Sequence, residues 1–418
     1  LLLFLPGQIS KLIRRGNYRH KFGQRFGFYD CEVRARLAAR HCTWIHAVSV
    51  GEVAIALKLA AKLRELDPEF FCALTTTTTT GFAFATQEVT EHMEVLYSPL
   101  DFWPIMRRAY AVIRPVRVIL VEAEVWPNLA AEARNRRVPL ALVNARLSPR
   151  SESRFHRFLS LVGPTFRCLD LVCVQEPEDI ARWVALNVPR ERIQHVSSIK
   201  YDPAETRINS EQPLQVLRAF GIDGDRPILF GGSTHAGEEE ILGEIFQRLR
   251  AEFPGFTLII APRHVERANE IRARLARLGL KVSLRSEPGD VRIPPPDCLL
   301  VDSTGELQNW YAVATIVFMG KSLTARGGQN PVEPILAGKP VLFGPHMENF
   351  SALATALVAN EAAIRISDPD SLQEKIAWLL RCPEAARRLI ANAQAVLDRH
   401  RGATARTASL VMQQRPHR

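Results

Sequence analysis

At 418 residues, with 47% hydrophobic and 23% charged side chains, the chain is too long for one ordinary core and suits about two globular domains. A formal charge of +10 asks for an anionic partner, and nucleic acid, an anionic membrane and an acidic substrate all qualify. The seven cysteines are odd in number and form no C-x-x-C pair, so neither a zinc site nor a disulfide framework is indicated, and a reducing cytosol fits.

The chain opens Leu1-Leu2-Leu3-Phe4-Leu5-Pro6, far short of the roughly 20 apolar residues a bilayer span needs. Lys11, Arg14, Arg15, Arg19, Lys21 and Arg25 follow with no acid before Asp30. Two readings stay open: the end of a span followed by a cytoplasmic basic collar, or a frayed apolar end ahead of a solvated basic helix. The first suits an anionic surface, and residues 1–40 are read as a basic, membrane-proximal segment.

From Thr43 onward, short β-branched or apolar runs alternate with helix-length stretches. The predicted strands are 43–48, 70–75, 93–97, 116–121, 139–143, 169–175 and 193–196, the signature of a parallel, doubly wound sheet over residues 41–202. The polar stretch from Asp202 to Pro213 lacks periodicity, and 203–213 reads as a linker. Alternation restarts at Ile228-Leu229-Phe230 and continues through 257–261, 281–284, 298–301, 315–319, 340–343 and 362–366. The fold class is thus α/β, with two Rossmann-like domains, the second over 214–382. Residues 383–418 read as a C-terminal helix and tail.

In such sheets ligands collect beyond the carboxyl ends of strands, so the residues after each strand carry the functional signal. After the first strand comes His46-Ala47-Val48-Ser49-Val50-Gly51-Glu52. Glu52 falls in the first turn of a helix running to about Leu66, as a general base or as a plain complement to the helix dipole. The threonines Thr75 to Thr80, closed by Gly81, supply a strand end and a capping hydroxyl, or a sugar-contacting loop. Glu122 and Glu124 stand two apart on an extended segment, so both point the same way, and Trp126 beside them offers a flat face suited to carbohydrate. Arg146 and Arg150 suit phosphate or carboxylate.

In the second half Gly231-Gly232-Ser233-Thr234-His235 is a Gly-rich turn at a helix start, an anion-binding shape. Arg263 and His264 follow the next strand and add a cation to the same end. Gly327-Gly328-Gln329-Asn330-Pro331-Val332-Glu333 reads as strand, loop and helix start, with backbone donors for a phosphate and Glu333 placed to accept hydrogen bonds from sugar hydroxyls. Together these strand ends point to a nucleotide carried by the C-terminal half.

The motifs in this order resemble the bacterial 3-deoxy-D-manno-octulosonic acid (Kdo) transferases, GT-B glycosyltransferases. The resemblance spans nearly the whole chain: His46 to Glu52, Thr80-Gly81, Glu122 to Asn128, Asn144 to Ser148, Ile199-Lys200-Tyr201-Asp202, Gly232 to His235, Ala261 to His264, Gly327 to Pro334, Gly344-Pro345-His346 and Asn349-Phe350. It implies a GT-B fold of two Rossmann-like domains facing a central cleft, an N-terminal acceptor domain and a C-terminal donor domain. It also implies CMP-Kdo as donor substrate, a lipid A precursor (lipid IVA) as acceptor in lipopolysaccharide biosynthesis, and inverting transfer without metal or other cofactor. The implied location is the cytoplasmic face of the inner membrane, on its anionic surface, with no nucleic acid partner. Under this reading Glu52 is the base. Ser233, Thr234, His235, Arg263, Gly327, Gly328, Gln329, Asn330 and Glu333 bind the donor; Thr80, Gly81, Glu122, Glu124, Arg146 and Arg150 bind the acceptor. Three departures stand out: Ser197-Ser198 where the family usually has Gly-Asn, Gln329 where it has His, and Lys321 where it commonly has Gly. Rival readings are a GT-B enzyme with another nucleotide sugar and a non-catalytic anionic-lipid binder.

Overall fold

The computed structural model describes residues 21–123, 125–147, 149–203 and 209–414, with the backbone alone at Pro149 and Arg150. Two compact units divide the chain: one runs to Asp202 and resumes at His400, and the other spans Pro203–Arg399.

The first unit holds seven parallel strands, β1 Cys42–Ala47, β2 Phe71–Thr76, β3 Met93–Tyr97, β4 Pro115–Val121, β5 Leu140–Ala145, β6 Leu171–Val174 and β7 Ile193–His195, in the order β3-β2-β1-β4-β5-β6-β7. These are near-continuous apolar runs because helices cover both faces, and β1, β2 and β5 are buried throughout. Alternate residues feed opposite layers: Trp44 packs with Tyr110, Leu142 and Trp183, whereas Ile45 packs with Leu59, Leu74 and Val143. The strand order reverses between β1 and β4, which pair in parallel through Trp44 with Val118 and Ile45 with Ile119. That junction is the unit's switch point.

The second unit repeats the plan with β8 Ile228–Thr234, β9 Thr257–Pro262, β10 Val282–Leu284, β11 Cys298–Leu300, β12 Ile316–Met319, β13 Val341–Phe343 and β14 Ile364–Arg365, ordered β10-β11-β9-β8-β12-β13-β14. Its switch point lies between β8 and β12. There a Cβ on Gly320 would stand 2.2 Å from the Ser233 carbonyl, so only glycine lets the two strand ends close together.

Three expectations are corrected. Residues 383–418 do not act as one segment. The helix Pro383–Asp398 belongs to the second unit, while Ala403–Gln413 returns to the first and buries Ala408 and Val411 against the layer that contains Ile55 and Leu59. Asp202 anchors that return, accepting from the N–H groups of Gly402 (2.8 Å) and Thr404 (2.7 Å). The linker gives way early to the helix Glu211–Ala219, whose first turn tolerates Pro213 because N–H groups there have no intrahelical acceptor. Arg25 is not part of a solvated collar: it is 3% exposed, donates to the Thr77 carbonyl at 2.9 Å and lies over the Tyr97 ring. Residues 1–20 fall outside the described residues.

Candidate functional site

Glu52 stands at the carboxyl end of β1, in the first turn of the helix Val50–Leu66. Ser49 caps that helix, its hydroxyl accepting from the Glu52 N–H at 3.3 Å. The Glu52 carboxylate answers reciprocally, Oε1 accepting from the Ser49 hydroxyl and Oε2 from the Val48 N–H, both at 2.9 Å. Glu52 is therefore the acid in the first turn of this helix, held in a single orientation with 9% of its surface exposed.

Beneath it lies a buried polar cluster. His46 is wholly buried, its Nδ1 3.0 Å from the Thr75 hydroxyl, which also accepts from the Trp44 indole N–H at 2.8 Å. His46 Nε2 has no hydrogen-bond partner, and burial depresses the ring's pKa to about 4, so it stays neutral. Trp126 meets the His46 ring edge to face at 4.8 Å.

Glu122, Arg146 and Lys200 gather on the other side of this switch point. Lys200 is held below the usual lysine range by burial, with the Glu122 carboxylate working against that effect and the Arg146 guanidinium adding to it. Arg146 is exposed. Glu122 does not lie on an extended segment: it sits at φ 62°, in the left-handed region, so the alternation argument for a same-side pair fails. Glu124, Ser148 and the Arg150 side chain lie outside the described residues. Along the threonine run, Thr75 and Thr76 end β2, and Thr78 caps the helix Thr79–Gln87 by accepting from the Gly81 N–H at 3.0 Å. Thr80 is exposed, but Gly81 is buried, and a Cβ there would come within 2.8 Å of the Thr76 and Thr78 hydroxyls. Gly81 therefore serves packing.

In the second unit several expected donor contacts are otherwise engaged. Thr234 is fully buried and its hydroxyl donates to Glu239 at 3.1 Å. Gly327 N–H donates to Glu348 Oε2 at 2.7 Å, and Gly328 N–H to the Lys321 carbonyl at 2.8 Å. The backbone donors expected to hold a phosphate at the paired glycines are thus occupied by the protein's own oxygens. Hydrogen bonds from its own backbone N–H, with a further contribution from Gly327 N–H, keep the Glu348 carboxyl below its ordinary range. Asn330 accepts from the Val332 N–H at 3.1 Å, closing a turn just ahead of the short helix Val332–Leu336, and donates to Glu333 Oε1 at 3.0 Å in the first turn. Gln329 is half-buried.

Glu238 was not singled out from the sequence. It is fully buried, and its carboxylate accepts from four backbone N–H groups: His235 and Lys321 at 2.8 Å on Oε2, Ser322 at 3.0 Å and Leu323 at 3.1 Å on Oε1. It ties the end of β8 to the loop after β12. The acids Glu238, Glu239 and Glu240 opening the helix Glu238–Leu249 were its sequence signal, but they read equally as dipole complements. What stays available at this end is side-chain chemistry. Arg263 is exposed, its N–H bound to the Thr234 carbonyl at 3.1 Å, and the His235 and His264 rings meet at 5.8 Å. Burial lowers the His235 pKa, with Lys321 and His264 adding to that effect. Among the described residues no group of three His, Cys, Asp or Glu side chains is placed to hold a metal ion.

Two of the three departures share a backbone property. Ser197 lies at φ 68° and Lys321 at φ 56°, conformations that glycine adopts freely and other residues at a cost. Ser198 keeps a polar link, donating to Asn144 Oδ1 at 3.2 Å beside the Ile199 N–H at 2.9 Å.

Solved structures share this two-unit plan. The UDP-GlcNAc 2-epimerase of Neisseria meningitidis matches with a TM-score of 0.56 at 12% identity, over 89% of this chain and 100% of that one. A glycosyltransferase from Rickettsia africae matches at 0.56 and 10% identity, over 90% and 99%. These likenesses define the fold, the GT-B arrangement of two Rossmann-like units in one chain. The family model for 3-deoxy-D-manno-octulosonic-acid transferase (kdotransferase) matches residues 20–203. The 3-deoxy-D-manno-octulosonic acid transferase of Haemophilus influenzae is 31% identical over 412 residues, 98% of this chain and 95% of its own. That of Bordetella pertussis is 35% identical over 395 residues, 92% and 89%. The chain belongs to the Kdo transferase family.

Proposed function

We propose that this Kdo transferase takes Kdo from CMP-Kdo to a lipid A precursor, lipid IVA, at the cytoplasmic face of the inner membrane, by an inverting displacement that uses no metal ion. The observation that carries the reading is Glu52, a carboxylate locked by Val48 and Ser49 at the switch point of the first unit. A glucosamine hydroxyl of the acceptor attacks the anomeric carbon of Kdo, its proton passes to Glu52, and CMP leaves from the opposite face. Arg146, Glu122 and Thr80 meet the acceptor. In the second unit Ser233, His235 and Arg263 face the nucleotide phosphate, and Glu333, steadied by Asn330, accepts the ribose hydroxyls.

Membrane docking is supported by exposed aromatic side chains with arginines stacked on them. Phe28 (60% exposed), Phe102 (62%) and Trp103 (49%) stand out, with Arg108 over the Phe28 ring and Arg107 over Trp103. Among the described residues no helix is long and apolar enough to cross a membrane.

The test incubates the enzyme with CMP-Kdo and lipid IVA in EDTA and reads the lipid by mass spectrometry. A Kdo-sized mass increase is expected, and Glu52→Gln should slow its appearance by about 100-fold or more while CMP binding persists. Turnover with a different nucleotide sugar but not CMP-Kdo would overturn the donor assignment, and near-normal transfer by the folded variant would remove Glu52 as base.

A further inference from the structure

The switch point of the second unit carries a cation without an assigned task. Lys321 follows β12 with its backbone at φ 56°, where glycine sits without strain and lysine does not. The surroundings hold it there from both sides: its N–H donates to Glu238 at 2.8 Å, and its carbonyl accepts from Gly328 N–H at 2.8 Å. Strain kept in place by its neighbours is a mark of functional positions. The side chain extends along the paired-glycine loop, such that a Cβ on Gly327 would lie 3.3 Å from Lys321 Cε and 3.5 Å from Nζ. Among the described residues the ammonium has no hydrogen-bond or ion-pair partner.

The backbone donors around it are already taken. The N–H groups of His235, Lys321, Ser322 and Leu323 bind Glu238, and that of Gly327 binds Glu348. A phosphate arriving at this end of the sheet therefore finds side-chain charge, and Lys321 is a cation whose stem lies along the paired-glycine loop. An ammonium on a long stem suits this as a point charge that follows a moving phosphate. We infer that Lys321 binds the 5′-phosphate of the nucleotide and stays paired with it as CMP departs. The inference rests on the CMP-sugar reading above.

The experiment titrates the full chain with CMP and with cytidine by calorimetry, for the wild type, Lys321→Gly and Lys321→Arg. Glycine accepts the left-handed backbone, so the first variant folds and should melt above the wild type. Its affinity for CMP should fall roughly ten- to hundredfold, the worth of a charge-assisted contact, while cytidine binding is unchanged and the arginine variant keeps most of the CMP affinity. A Lys321→Gly chain that binds CMP as tightly as the wild type overturns the inference and leaves the donor reading standing. Equal loss of CMP and cytidine, with a lower melting temperature, makes Lys321 structural and also overturns it. A wild type that binds no CMP overturns both.

Discussion

The two units place a glutamate at the same point of the same plan, in the first turn of the helix that follows the first strand, and use it differently. Glu52 closes a cap with its immediate neighbours Val48 and Ser49 and keeps an exposed edge. Glu238 reaches across the sheet to the loop after β12 and is sealed from solvent by four backbone donors. Under the proposed function Glu52 is the reactive carboxylate and Glu238 a structural one, so position in the fold does not separate the two roles. What separates them is whether the bonds are local, leaving an edge for substrate, or long-range, binding two strands together.

Removing each in turn should break the pair apart. Glu238→Ala leaves four buried N–H groups without an acceptor and should cost on the order of 3–5 kcal/mol, read from denaturant unfolding. A loss below about 1 kcal/mol would show that water or a neighbour takes its place. Acid should reach the first unit through His46. Its folded pKa of about 4 lies below its ordinary 6.5, so the unfolded chain takes up the proton first as pH falls. The contribution is complete above 6.5 and shrinks toward 4, by about 2 kcal/mol between pH 7 and pH 5. Unfolding of His46→Asn at both pH values should lack that slope. Glu52→Gln, in contrast to Glu238→Ala, should lose only about 1 kcal/mol of stability, the value of one cap, while transfer collapses. Smallest and opposite in sign, Ser197→Gly should raise stability by up to about 1 kcal/mol by relieving a left-handed serine, visible as a melting temperature higher by roughly 2–4 °C.

The strands were plain in the sequence because parallel strands covered on both faces are continuous apolar runs, and every predicted run overlaps an observed strand. Glu52 was legible as a first-turn residue, but its double bond to Val48 and Ser49 was not, since a carboxylate's partners depend on the cap geometry. The paired glycines misled: Gly327 and Gly328 do take positive φ, at 127° and 70°, yet their N–H groups point to Glu348 and Lys321. Sequence shows that a backbone can approach a ligand; it does not show what already occupies the donor. Glu238 was missed for the reciprocal reason, because three of its four partners lie 83 to 85 residues away. Ser197 and Lys321 were visible as oddities, and only the dihedral angles made them one phenomenon.

The returning helix Ala403–Gln413 sets an order of events during synthesis. Asp202 waits for Gly402, made 200 residues later, and the apolar face around Ile55 and Leu59 stays bare until Ala408 and Val411 arrive. On the ribosome, the second unit emerges whole while the first still lacks a piece of its own wall. The unit that begins first is therefore the one that finishes last, and a nascent chain stalled short of this helix presents an open greasy surface to chaperones and to its siblings.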